Sequence, residues 1–402
     1  MREYAVVLLV AALVTYLATP VVRMAAIRLR MMAAPRDRDV HVIPTPRGGG
    51  VAMYLGVSAA ILVATRLPVL HRTFDDSQTA GVLIAGGLIC LLGVLDDRWG
   101  LDALTKLTGQ IAAAGVMVLF GVQLLYLFLP VADIGTLILG PSVGVPATIL
   151  LTVLTVNALN FIDGLDGLAA GVSAIAALAF FAYSYHLGLV GYDDVASAPA
   201  LITVVLAGAC LGFLPHNFSP ARIFMGDSGS MLVGLMLSAA AVSATGQADP
   251  QTFDSAATLL PLALPLLVPI AILFIPFVDL LLAVIRRTRK GRSPFSPDKM
   301  HLHHRLLTIG HSHRRAVLVM YFWAALLSFG AVTLSITGGR SELVIAIGVL
   351  LVVGVVVVLA PRARRAAREA RAAELLAQRE RSRADHPSSR TVRPEPVQKV
   401  LR

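Results

Sequence analysis

Eleven apolar windows, each bounded by charged, Gly-rich or Pro-rich residues, take up most of this 402-residue chain. They lie near 4–22, 49–64, 80–95, 107–128, 145–159, 168–185, 198–214, 230–245, 259–285, 317–335 and 342–360. About 20 apolar residues cross one bilayer core, and backbone amides have no water to bond there, so each window is expected to be helical. The pattern predicts an all-α integral membrane protein of about 11 transmembrane helices. Composition agrees: 14% of residues are charged, against about 25% in a soluble domain. The first window has only Arg2 before it and is long, so it reads as a retained helix rather than a cleaved signal peptide. Cys90 and Cys210 fall inside apolar windows and read as small buried hydrophobes, not a disulfide framework.

The basic residues give the orientation. Of 34 Lys and Arg, thirty fall in alternate connections (23–48, 96–106, 215–229, 286–316 and the tail beyond Pro361), and four, Arg2, Arg66, Arg72 and Arg340, fall in the opposite set. A miscounted window would scramble that asymmetry. Basic residues stay in the cytoplasm, so the N-terminus is expected outside and the tail inside. The net charge of +10 is then a topology and anionic-lipid signal, and nucleic acid is not an expected partner. Residues 1–360 form the expected membrane domain. In the tail, 361–402, Ala, Arg, Glu and Leu favour a helix first, and a Ser/Pro-rich disordered end follows.

Five polar clusters are not required by topology: PTPRGGG (44–50), LDDRWGLDALTK (95–106), NALNFIDGLDG (157–167), FMGDSGS (224–230) and HLHHR (301–305). All five belong to the cytoplasmic set, which predicts an active site in the cytoplasmic loops. Asp96, Asp97, Asp163, Asp166 and Asp227 would repel one another in one cleft, and a divalent cation with basic side chains would relieve that repulsion. Oxygen ligands select Mg²⁺, with Mn²⁺ as substitute, over zinc. Mg²⁺ takes one or two carboxylates and completes its shell with water and phosphate oxygens, so a phosphate or pyrophosphate substrate is expected. Arg47, Lys106 and Arg305 supply matching cations.

Each cluster also has a plainer reading. The triple glycine serves loop flexibility, Asp96–Asp97 cap a short helix, Lys106 snorkels to the interface, and FMGDSGS is a turn with its own N-cap. In NALNFIDGLDG the polar residues recur every three positions, which on one helix drifts each by about 60° from the last. One continuous helix cannot aim all four at a ligand. The stretch is therefore expected to break near Gly164 and Gly167, with the asparagines closing one span and the aspartates opening the next. In HLHHR only His301 and His304 share a helix face and no Cys is near, which argues against zinc.

In this order and on these loops the five motifs resemble the polyprenyl-phosphate N-acetylhexosamine-1-phosphate transferases, over roughly residues 1–360. NxxNxxDGLDGL together with FMGDSGS is a specific pair. The resemblance implies transfer of N-acetylglucosamine 1-phosphate from UDP-N-acetylglucosamine to a membrane polyprenyl phosphate, with release of UMP, as the first lipid-linked step of a cell-envelope polysaccharide. It implies a bacterial plasma-membrane location and allows a homodimer. Carried over residue by residue, it implies Asn160 and Asp227 as Mg²⁺ ligands, Asp96 and Asp97 as the catalytic acids, and Lys106 as a phosphate holder. It implies Asn157, Asp163 and Asp166 on the nucleotide side, and His301, His303, His304 and Arg305 in the sugar-recognition loop; the cation of Arg47 is expected on the substrate with them. HLHHRLL resembles the N-acetylglucosamine branch rather than the muramoyl-pentapeptide branch. Composition and SPDKMHLHHRLL resemble an actinobacterial member, which implies undecaprenyl or decaprenyl phosphate as the lipid. One departure stands out: some members carry a third acid where this chain has Gly100, and Asp102 is out of register.

Three rivals fit less well. A secondary transporter would place its charges near the midplane in repeated halves. A metalloprotease would carry an HExxH helix. A lipid-binding scaffold has no use for carboxylates on the same side of the membrane as Lys106.

Overall fold

The structure is a computed structural model that describes residues 1–33, 44–128, 136–191, 196–246, 270, 274–289, 312–337, 340–354, 356 and 358. Residues 1–354 form one compact unit. The expected sugar-recognition residues His301, His303, His304 and Arg305, and the tail 361–402, lie outside the described residues.

Helices dominate, as the apolar windows predict. They are α1 (Arg2–Arg28), α2 (Gly49–Ala64), α3 (Gln78–Trp99), α4 (Ala103–Leu119), α5 (Pro141–Ile162), α6 (Leu168–Gly191), α7 (Ala198–Asn217), α8 (Gly226–Gly246), α9 (Phe274–Arg289), α10 (His313–Thr337) and α11 (Ser341–Gly354). Seven of these are long and apolar enough to cross a membrane; α2, α4 and α11 are shorter apolar helices. The chain is an all-α membrane protein. A short 3-10 helix (Leu70–Phe74) and two antiparallel strand pairs complete the described part: β1 (Met32–Ala33) with β2 (Thr45–Pro46), and β3 (Tyr126–Phe128) with β4 (Thr136–Ile138).

One window is corrected. Residues 107–128 were expected as a single helix, but α4 starts at Ala103 and ends at Leu119. Asp102 moves the start upstream, because its carboxylate accepts from the Leu104 and Thr105 amides and caps the helix. Gly121, at φ +87°, turns the chain out of the helix, and Tyr126–Phe128 then pair with Thr136–Ile138.

α8 is the middle of the bundle. Its hydrophobic window is entirely buried, and α2, α3, α5 and α7 pack around it. Small residues allow this closeness: a Cβ on Gly234 would press into the backbone of Val156 on α5. One polar contact joins two helices inside the bundle: the Thr152 and Ser238 hydroxyls lie 2.9 Å apart between α5 and α8. The two cysteines are buried and unpaired, as expected.

Candidate active site

The C-terminal ends of α3 and α5 meet the N-terminal ends of α4 and α8. Local sequence explains each end. α3 stops at Gly100, which takes φ +69°, and the chain turns at once into the Asp102 cap of α4. Lys106 therefore stands in the first turns of α4, opposite the end of α3. The Thr105 hydroxyl and amide hold the exposed Asp102 carboxyl below its usual range, so the out-of-register acid is a helix cap.

At the centre is an ionic cluster. The Lys106 ammonium pairs with Asp96 Oδ2 and donates to Asp227 Oδ2 at 2.9 Å. Asp227 Oδ1 accepts from Asn160 Nδ2 at 3.0 Å, and the same amide donates to Ser230 Oγ at 2.9 Å. Asp96 is buried, and its Oδ1 accepts from the Leu101 amide at 2.7 Å. Four residues far apart in sequence thus form one constellation. Asp97 faces elsewhere: its two oxygens accept from the amides of Asp227 and Ser228 and from the Ser228 hydroxyl.

The asparagine–aspartate stretch breaks as expected, with one difference. α5 closes at Ile162, and Asp163 is its C-cap residue. α6 begins only at Leu168, after Gly167 at φ +76°. The aspartates do not open the next helix; they lie in the turn between. Removal of Asp163 from water and the nearby charges of Asp227 and Asp97 push its carboxyl up to about 7, partly opposed by Arg47. Arg47, half-buried, is thereby within electrostatic reach of Asp163 and Asp97. Asp166 is buried, and its Oδ2 accepts from the Ala221 amide at 3.0 Å. It fastens the 163–167 turn to the loop before α8. Asn157 donates to Gln110 Oε1 and the Val153 carbonyl, joining α5 to α4.

The triple glycine makes contact as well as turning. Gly49 and Gly50 donate their amides to the Phe224 and Met225 carbonyls, and the Phe224 amide donates back to Pro46. A Cβ on Gly50 would overlap the backbone of Ser228 and Gly229. PTPRGGG and FMGDSGS are thus two halves of one seam, a relation invisible when each is read alone.

Three contributors escaped the sequence reading. Gln110 is an amide inside the apolar window 107–128, which also holds Gln123. Buried Asn217 accepts from the Gly167 amide and donates to the Ile223 carbonyl, tying two site loops together. Ser230 is inside the quoted FMGDSGS, but its bond to Asn160 needs α5 and α8 side by side.

The donor chemistry fits Mg²⁺. Two carboxylates and one amide converge, few enough to leave positions for water and phosphate oxygens. Rotating the Asn160 amide by half a turn places its oxygen where Nδ2 now meets Asp227. No group of three or more His, Cys, Asp or Glu suited to a metal occurs among the described residues, so no zinc-type cage is present there.

The model of glycosyl transferase family 4 matches residues 79–245, which hold Asp96, Lys106, Asn160 and Asp227. A decaprenyl-phosphate N-acetylglucosaminephosphotransferase of Mycolicibacterium smegmatis is 53% identical over 370 residues, 91% of this chain and 90% of that protein. The chain belongs to glycosyl transferase family 4. A Mycobacterium tuberculosis protein of the same name is 52% identical, covering 88% of each chain. An Escherichia coli undecaprenyl-phosphate alpha-N-acetylglucosaminyl 1-phosphate transferase is 27% identical over 76% of this chain and 77% of that protein. The family resemblance read from the five motifs is therefore correct.

Proposed function

We propose that the chain transfers N-acetylglucosamine 1-phosphate from UDP-N-acetylglucosamine to a membrane polyprenyl phosphate, releasing UMP. An oxygen of the lipid phosphate attacks the sugar-bearing phosphorus, the bond from that phosphorus to the bridging oxygen breaks, and UMP leaves. The product is polyprenyl-diphospho-N-acetylglucosamine. The observation that carries this reading is the Asp96–Lys106–Asp227–Asn160 cluster at the ends of four helices, in a chain half identical to enzymes named for this transfer.

The chemistry asks for positioning and charge neutralisation more than for covalent help. A phosphomonoester has its second pKa near 6 and is mostly dianionic at neutral pH. Lys106 neutralises charge on a phosphate, and Arg47 is near enough to assist. Asp227 and Asn160 would hold Mg²⁺, which supplies further neutralisation on the pyrophosphate. Asp96, fixed by the Leu101 amide, orients Lys106 and is the group best placed to orient the lipid phosphate. The basic-residue asymmetry supports a cytoplasmic site in the bacterial plasma membrane, where UDP-sugars are found. Decaprenyl phosphate is the preferred acceptor of this reading, because the two mycobacterial relatives carry it in their names.

The test is product analysis by mass spectrometry. Purified protein with UDP-N-acetylglucosamine, decaprenyl phosphate and Mg²⁺ should yield UMP and the lipid diphospho-sugar in equal amounts. EDTA should stop both, and the muramoyl-pentapeptide nucleotide should give neither. Turnover that persists in EDTA would sink the metal assignment, and turnover of the muramoyl nucleotide would sink the sugar assignment.

A further inference from the structure

We propose that Asp97 is a positioning residue: it clamps the first turn of α8 and so aims Asp227, and it does not meet the substrate. The functional half of this inference rests on the transfer reading above; the clamp itself does not.

Asp96 and Asp97 are neighbours, yet their carboxylates serve different partners. Asp96 meets Lys106 and the Leu101 amide. Asp97 Oδ1 accepts from the Asp227 amide at 3.0 Å, and Oδ2 accepts from the Ser228 amide at 3.2 Å and the Ser228 hydroxyl at 3.0 Å. The first amides of a helix have no partner within it, and their dipole favours an anion. For α8 that anion comes from another helix, 130 residues earlier in the chain.

The seat is built for this one carboxylate. Gly226 takes φ +70°, and a Cβ there would overlap the Asp97 carboxyl group. Gly93, one turn before Asp97 on α3, lies where a Cβ would overlap the backbone of Asp227 and Ser228. Two glycines on facing elements thus let α3 and the first turn of α8 touch, with Asp97 between them. The backbone held by Asp97 carries the side chain that meets Lys106 and Asn160. The aim of Asp227 is consequently set through Asp97.

The experiment compares wild type, Asp97→Asn and Ser228→Ala as full chains in detergent. Hydrogen–deuterium exchange reads the clamp without substrate or metal. Asp97→Asn replaces a double acceptor with a group that donates on one side, and exchange across 226–231 is expected to rise about tenfold. Ser228→Ala, which removes one of the three bonds, gives a smaller rise in the same peptides. Turnover reads the consequence. A misaimed group typically costs on the order of 100-fold in rate, so kcat falls while KM for UDP-N-acetylglucosamine changes little, and the residual activity keeps the wild-type pH profile. Unchanged exchange in 226–231 overturns the clamp. Faster exchange with wild-type kcat overturns its catalytic relevance. Loss of the acid limb of the pH profile in Asp97→Asn, with normal exchange, would show that Asp97 touches the reacting atoms. If Asp97→Asn does not fold, Ser228→Ala decides on the same readouts. A wild type that shows no sugar-phosphate transfer fails the function reading, and the exchange result still judges the clamp.

Discussion

The Lys106 ammonium on α4 lies 2.9 Å from Asp227 Oδ2 on α8 while also pairing with Asp96 on α3. One cation thereby holds together two carboxylates that would otherwise repel. Lys106 keeps some exposure and Asp96 almost none, with side chains 29% and 5% accessible. Removing the ammonium leaves a buried carboxylate without its partner. Lys106→Met should lower kcat by roughly 100-fold or more, about 2.7 kcal/mol of barrier, and should lower the melting temperature. Steady-state kinetics and a thermal melt check both.

Asn160 links Asp227 to Ser230, and under the proposed function it would hold Mg²⁺. Asn160→Ala should abolish transfer at ordinary Mg²⁺, and Ser230→Ala should weaken it by only about tenfold, the worth of one hydrogen bond. A Mg²⁺ titration of initial rates separates the two. Full wild-type turnover in Asn160→Ala would remove this residue from the metal site.

Asp163 gives a pH dependence with a definite sign. Its carboxyl rises from an ordinary 3.8 to about 7 in the folded chain, through removal from water and the charges of Asp227 and Asp97. Between those values the folded protein holds a proton that the unfolded chain has released, so its stability falls as pH rises through that window. Melting temperatures in EDTA from pH 4 to pH 8 should show this decline, and Asp163→Asn should make it shallower. A slope identical in the variant would show that other groups cause it.

The seam between the two glycine motifs is testable without touching a charged group. Gly50→Ala places a methyl group against the backbone of Ser228 and Gly229. Overpacking of this kind typically costs about 1–3 kcal/mol. A lowered melting temperature with reduced kcat is expected, since the displaced first turn of α8 carries Asp227. Gly115→Ala, where a Cβ would meet nothing within 4 Å, is the control and should behave as wild type.

The helices were legible because apolar length is a one-dimensional property: each window holds its own reason to be helical. The site residues were legible as types, since carboxylates, amides and a lysine at span ends have few structural uses. Their division of labour was not. Asp96 and Asp97 are identical and adjacent, and only the position of α8 assigns one to Lys106 and the other to the α8 amides. The β3–β4 pair was hidden for a related reason, because Tyr126–Phe128 are as apolar as the helix before them and the partner strand decides. Gln110 and Asn217 act by tying elements together across the fold, which spacing along the chain does not record.

The most direct test of the central claim is transfer of label from UDP-[¹⁴C]N-acetylglucosamine into butanol-extractable lipid by purified protein with decaprenyl phosphate and Mg²⁺. Lipid-linked label that needs all three additions and is lost in Asp227→Ala is the expected result. Absence of label in wild type, or label that survives the loss of Asp227, would contradict it.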